Sequence, residues 1–228
     1  MRIDRPLSFV LCCLLASLCI FGSNTLARES KTDVGVVAAC FDGDTVKLMD
    51  RRVIRLIGID APEFAHEHAQ EQFYAKAAHK TLRTLAQGKK VQIVSQGSET
   101  TYHNGCVLAD LVLEDGESLS CAMVRAGAAF VYPHKDLNPA FLEKLFALQQ
   151  EAIKEKVGLW EKLLKSPIAG QSYTGDSTSH RFFPSDCPHA QSIKPRNRVY
   201  FGTVMDAFLA NFAPARICVF WPSAKSLD

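Results

Sequence analysis

The 228-residue sequence predicts an α+β fold, and three observations carry that expectation. Short β-patterned runs, Val34–Phe41, Thr45–Met49 and Val53–Ile59, crowd together early in the chain. Further on, apolar side chains recur at helical spacing in segments stopped by Gly88, Gly127 and Gly158. A hydrophobic content of 47% with 22% charged residues is enough to bury one sizeable core and a small appendage.

Each element follows from its residues. Asp42-Gly43-Asp44 joins the first two runs, because Asp-Gly favours a tight reversal, and Pro62 closes the third run by removing a ladder donor. The first helix spans residues 71–87, with Phe73, Ala77, Ala78, Leu82 and Leu85 on one side. Val91 and Ile93 alternate with Gln92 as on a half-buried strand, and the polar stretch Ser95 to Asn104 reads as a loop. Val107 to Leu113 is a strand, Glu114-Asp115-Gly116 a turn, and Leu119 to Ala126 the second helix. Asn138 and Pro139 form an N-cap and first-turn pair for the third, whose buried side is Leu142, Leu145, Phe146, Leu148, Ala152 and Ile153.

Residues 1–27 read as a secretion signal: Arg2 and Arg5, then the apolar run Leu7 to Gly22, then the small Ala27. The run is short for a membrane span, so a secreted or periplasmic protein without stable membrane association is expected after cleavage, with an uncleaved anchor as the second reading. Removal of Arg2, Asp4 and Arg5 leaves 24 basic against 23 acidic residues, a net charge of +1. Such a balance gives no global attraction to polyanions, so nucleic-acid affinity must come from a local patch.

The chemistry concentrates between Phe41 and Glu63. Asp42 and Asp44 flank Gly43 at one end, and Arg55, Asp60 and Glu63 stand at the other. If the third strand runs beside the second, its far end returns to the turn and brings Asp60 to Asp44. Two carboxylates that meet repel unless a cation lies between them, and oxygen ligands favour a hard ion such as calcium or magnesium. His66 and His68, alternating in the loop that follows, are read as surface histidines, and Lys144, Lys154 and Lys156 as a solvated helical face.

These blocks, DGDTVKL, RLIGIDAPE, FYAKAAHKTLRTLAQGKKV, GCVLADLVLEDG, MVRAGAAFVY and EAIKEKVGLW, resemble in order and spacing the staphylococcal nuclease family over about residues 34–164. The resemblance implies an OB-like five-stranded Greek-key β-barrel with three helices. Leu159 and Trp160 are expected to fold back onto it. The resemblance also implies a nuclease or phosphodiesterase acting on DNA or RNA, with calcium held by Asp44, Asp60 and the carbonyl of Ala61. Arg55 would grip the phosphate and Glu63 would be the general base. Where the family commonly carries a second phosphate-binding arginine this chain has Cys106, and His103 is the neighbouring side chain able to supply a positive charge instead. The departure at Cys106 keeps a second expectation in play, a barrel that has lost turnover and binds nucleic acid, a nucleotide or a protein partner.

The domain reading that follows is a barrel over residues 28–165, a Ser/Thr/Gly/Pro-rich linker at 166–179 and a small module at 180–228. The last resembles the zinc-binding module of Ada-type DNA-repair proteins, with Phe183 and Ala215 in two of the ligand places and Cys187 and Cys218 in the others. Two thiolates make no structural zinc site, and nothing in the spacing of His180 and His189 requires them to complete one. Zinc is therefore not expected in the tail, and Cys187–Cys218 is read as a disulfide suited to an oxidising compartment. Five of the eight cysteines remain after signal cleavage, so one of Cys40, Cys106 and Cys121 is left over. A redox-sensitive link between Cys40 and Cys106 is conceivable.

Overall fold

A computed structural model describes residues 33–65, 70–98, 100–101, 105–218 and 221–224. The expected signal at 1–27 and the side chains of His66, His68 and His103 lie outside the described residues.

The first strands are β1 (Val34–Cys40), β2 (Thr45–Leu48) and β3 (Val53–Leu56), joined as an antiparallel meander. After the two-residue β4 (Ile59–Asp60) and helix α1 (Ala75–Ala86) come β5 (Lys90–Val94) and β6 (Val107–Leu113). Strands in the order β1-β2-β3-β6-β5 close into a barrel, with β3 and β6 parallel and the other neighbours antiparallel. This is the closed five-stranded barrel that the sequence leads one to expect. Val37, Val46, Leu48, Ile54, Leu56 and Leu111 fill it, and Ala78 and Leu82 of α1 cover it. Helix α2 (Leu119–Arg125) is capped by Ser118, which accepts from the Cys121 N–H. Strand β7 (Phe130–Val131) and helix α3 (Pro139–Glu155) follow, with Asn138 Oδ1 accepting from the Phe141 N–H at 3.1 Å.

One element differs from the sequence reading in a way that matters for the site. The third strand was expected to run through Ile59, but it ends at Leu56. Gly58 adopts φ of +81°, a left-handed conformation that breaks the strand, and the chain resumes as β4 on a different partner. Ile59 then pairs with Val131 and Asp60 with Phe130.

Beyond the short helix α4 (Leu159–Leu163) the stretch 166–179, read as a linker, contains strand β8 (Tyr173–Asp176). With β9 (Arg181–Pro184), helix α5 (Pro188–Ser192), β10 (Arg198–Phe201), helix α6 (Val204–Leu209) and β11 (Ala213–Pro214) it builds a second sheet in the order β10-β8-β9-β11. Tyr173 is fully buried, which is why this otherwise polar stretch is ordered as a strand.

The C-terminal part is not a loosely tethered appendage, since its described residues form one compact unit with the barrel. Phe73 and Phe130 from the barrel side share a buried cluster with Trp160, Tyr173, Phe182 and Phe208. Trp160 thus packs edge-on against Phe208, ring centroids 4.8 Å apart, between barrel and tail. The chain end then runs back along residues 71–73: the Phe73 N–H donates to the Pro222 carbonyl at 2.8 Å, and the Ala224 N–H to the Glu71 carbonyl at 2.9 Å.

Cys187 and Cys218 are joined as a disulfide. Phe183 and Ala215, which replace two ligands of the resembled zinc module, pack with Ala190 and Ile193 around that bond, so the position is filled with hydrocarbon. Cys40, Cys106 and Cys121 are free thiols. No helix among the described residues is long and apolar enough to cross a membrane.

Candidate active site

Local sequence dictates how the acidic groups meet. The β1–β2 connection closes where the Phe41 N–H donates to the Thr45 carbonyl at 2.8 Å, and Asp42 Oδ1 accepts from the Asp44 N–H at 2.9 Å, an Asx turn. Gly43 serves less as a reversal than as a gap: a Cβ there would lie 2.6 Å from the Ala61 Cβ and 2.8 Å from the Ala78 Cβ. Only glycine lets the loop carrying Asp44 press against the segment carrying Asp60 and Ala61. Register does the rest, because Thr45 pairs with Arg55 across β2 and β3 and sets the guanidinium beside Asp44.

Asp44, Arg55 and Asp60 are 0%, 8% and 6% exposed, so their charges must be neutralised by one another or by an added ion. Arg55 Nη1 lies 2.6 Å from Asp44 Oδ1, Nη2 donates to Asp60 Oδ1 at 2.5 Å, and Glu63 Oε1 is 3.8 Å from Nη1. Asp44 also accepts from the Thr45 hydroxyl at 3.0 Å and, through Oδ2, from the Ala61 N–H at 2.9 Å. Ala61 therefore belongs to the site, and the group it turns to Asp44 is its N–H. The Glu63 backbone N–H donates to Gln72 Oε1 at 2.9 Å, which anchors this acid to the approach of α1.

Burial pushes the Asp44 carboxyl well above its ordinary range, against the pull of Arg55, and the neighbouring Asp42, Asp60 and Glu63 push the same way. Glu63 is raised by burial first and by Asp42 next. Arg55 is raised as well: burial opposes its charge, but Asp44 and Asp60 outweigh that opposition. Burial is the larger cause for both carboxyls, and the crowding of Asp42, Asp44, Asp60 and Glu63 adds to it.

One oxygen from each of Asp44, Asp60 and Glu63 lies within 4.8 Å of the others. An all-oxygen set of this kind, short of positive charge, fits a hard divalent cation such as calcium or magnesium.

A residue that sequence reasoning missed completes the picture. Arg216, 156 positions after Asp60, follows β11 in the C-terminal sheet, donates from Nη2 to Asp60 Oδ1 at 2.5 Å and lies with Nε 3.3 Å from Oδ2. It lines a cleft of about 280 Å³ together with Arg55, Ile59, Leu108, Tyr132 and His134. Arg181 comes from the same sheet, with its guanidinium carbon 3.5 Å from the Tyr132 ring centroid, and Nη2 donates to the Pro133 carbonyl at 2.7 Å. Cys106, half-buried and with a free thiol, is not among the described residues that line the cleft.

Residues 53–162 match the family model for staphylococcal nuclease homologues. An uncharacterized endonuclease of Escherichia coli is 37% identical over 129 residues, covering 55% of this chain and 76% of that protein. Endonuclease YhcR of Bacillus subtilis (strain 168) is 26% identical over 204 residues, 78% of this chain but 16% of that protein. Endonuclease YncB of the same organism is 27% identical over 124 residues, 53% of this chain and 58% of that protein.

Proposed function

This chain belongs to the staphylococcal nuclease homologue family, and from that premise we propose that it is a calcium-dependent phosphodiesterase that hydrolyses DNA or RNA outside the cytoplasm. The observation that carries the reading is the convergence of Asp44, Asp60 and Glu63 around the Arg55 guanidinium, which lines a cleft. Asp44 and Asp60 are the carboxylates that would hold the ion, with Ala61 beside them. Calcium bound there would act as a Lewis acid toward a phosphoryl oxygen.

The chain's own residues supply the remainder. Glu63, at 30% side-chain exposure, is the acid of the group that solvent reaches most readily, so it is placed to accept a proton from an attacking water. That water oxygen bonds to phosphorus, one phosphoester bond breaks, and the departing oxygen takes up a proton. Arg55, which donates to Asp44 and Asp60 in this structure, would direct its planar fork to the phosphate oxygens, whose charge grows during the displacement. The apolar floor of the cleft, Leu56, Ile57 and Leu137 among its residues, offers a surface for a sugar or base next to that phosphate. The export reading is supported by the Cys187–Cys218 disulfide, a bond that persists in oxidising compartments.

The test is release of acid-soluble nucleotides from single- and double-stranded DNA and from RNA, with calcium and with chelator. Glu63→Gln should lower the rate by roughly 10²–10⁴-fold while calcium still binds. Tight binding of nucleic acid with no cleavage under any of these conditions would overturn the enzyme reading and leave a binding barrel.

A further inference from the structure

We propose that the C-terminal sheet supplies the active site with its second substrate-binding cation, Arg216, so that the barrel by itself is an incomplete nuclease. The inference rests on the phosphodiesterase reading above and adds to it a residue that the barrel does not encode.

Arg216 and Arg55 reach the same carboxylate oxygen, Asp60 Oδ1, each at 2.5 Å, and both line the same cleft. They differ in access. The Arg55 side chain is 10% exposed and enclosed by three acids, whereas that of Arg216 is 45% exposed. An anion entering from solvent therefore reaches Arg216 more readily than Arg55.

Half-exposed arginines are ordinarily mobile, but the backbone of this one is held on both sides. Just before it, Pro214 pairs with Phe182 in the sheet and the Ala215 N–H donates to the Phe182 carbonyl at 2.9 Å. Two residues after it, Cys218 is bonded to Cys187. The guanidinium carbon stands 5.1 Å from the centroid of the Tyr132 ring, which Arg181 also faces. The backbone is thus fixed, and the head, held by Asp60 through Nε and Nη2, is still 45% exposed to solvent, an arrangement that lowers the entropic cost of gripping a phosphate.

The chemistry needs such a group. A phosphodiester carries one negative charge, and the charge on its non-bridging oxygens rises as water adds. A guanidinium already aimed at that position stabilises the added charge without reorganisation. Arg55 is bound to Asp44 and Asp60 and has few directions left, and Cys106 brings no cation to the cleft. Arg216 is the described cationic side chain that meets the requirement from outside the barrel.

The experiment compares the full-length protein with Arg216→Ala and Arg216→Lys, using calcium and a DNA oligonucleotide. Arg216→Ala should lose about 10²–10³-fold in kcat/KM, the size of effect seen when one charge-stabilising donor is removed from an active site. Arg216→Lys should recover part of that loss. Guanidinium ion added at millimolar concentration should raise the rate of Arg216→Ala and leave the wild-type rate unchanged, a rescue that a purely structural arginine would not show. In the Glu63→Gln background, a phosphorothioate oligonucleotide should bind more weakly once Arg216 is also removed. Cleavage by Arg216→Ala at the wild-type rate overturns the inference. So does a loss that guanidinium leaves unrepaired and that is accompanied by a lower melting temperature, since Arg216 would then be only a structural partner of Asp60. A wild-type protein that cleaves nothing overturns the enzyme reading instead, and the oligonucleotide titration then decides Arg216 alone: weaker binding without it supports the assignment, and equal binding refutes it.

Discussion

Arg55 bridges Asp44 and Asp60 with two different nitrogens, and that bidentate geometry is a property of the guanidinium fork rather than of positive charge. Lysine offers one compact ammonium and cannot reach both carboxylates in the same way. Arg55→Lys should therefore fold but lose roughly 10²-fold or more of its cleavage rate, as expected when a directed donor is lost, and steady-state kinetics with circular dichroism would check both parts. Cys40 belongs to the same scale. Burial, then the charge of Asp42, pushes its thiol up to about 11, with Arg83 pulling the other way. The reactive thiolate is the deprotonated form, so at neutral pH Cys40 is protonated and alkylation should be slow, accelerating as pH rises toward that value. Mass spectrometry after iodoacetamide treatment at a series of pH values reads this directly. Modification of Cys40 at neutral pH as fast as a free cysteine would contradict it.

At the scale of elements, the turn between β3 and β4 decides where Asp60 points. Gly58 holds φ of +81°, and a Cβ on it would lie 2.7 Å from the Leu145 Cδ1 of helix α3. Gly58→Ala should cost about 1–3 kcal/mol, from the left-handed conformation and from overpacking together. It should also lower activity beyond what stability explains, because β4 carries Asp60; chemical denaturation and kinetics on the same sample separate the two effects. This turn was not legible in the sequence, where Leu56-Ile57-Gly58-Ile59 reads as one apolar strand and nothing local says that pairing switches partners. The rest of the barrel was legible. Its strands are β-branched and short, its third helix carries the Asn138 cap, and the acids of the site stand close to strand ends. Polar composition misled the reading at residues 166–179, because burial of Tyr173 and the sheet partners of β8 come from residues far along the chain.

On the scale of the whole molecule, barrel and C-terminal sheet share one apolar interior. Removing everything after Lys165 would bare Phe73, Phe130 and Trp160, which now pack against Phe182 and Phe208. The truncated chain should bind a hydrophobic dye and melt at a lower temperature than the intact one. Arg216 is the feature of the site that no motif could announce: the contact spans 156 positions, and a lone arginine in an apolar stretch has no signature until the fold places it. Reducing Cys187–Cys218 should remove about 3–4 kcal/mol of chain-entropy stabilisation from a loop of 31 residues. Cleavage by the wild type should fall with added dithiothreitol, while the residual rate of Arg216→Ala should not change. Equal sensitivity of both proteins would place the effect elsewhere.

An enzyme that digests nucleic acid endangers the cell that makes it. If Arg216 grips the phosphate, one arm of that grip hangs from a sulfur–sulfur bridge that forms where thiols oxidise. A chain with Cys187 and Cys218 still reduced would then cleave no faster than Arg216→Ala, and would gain its full rate as the bridge closes.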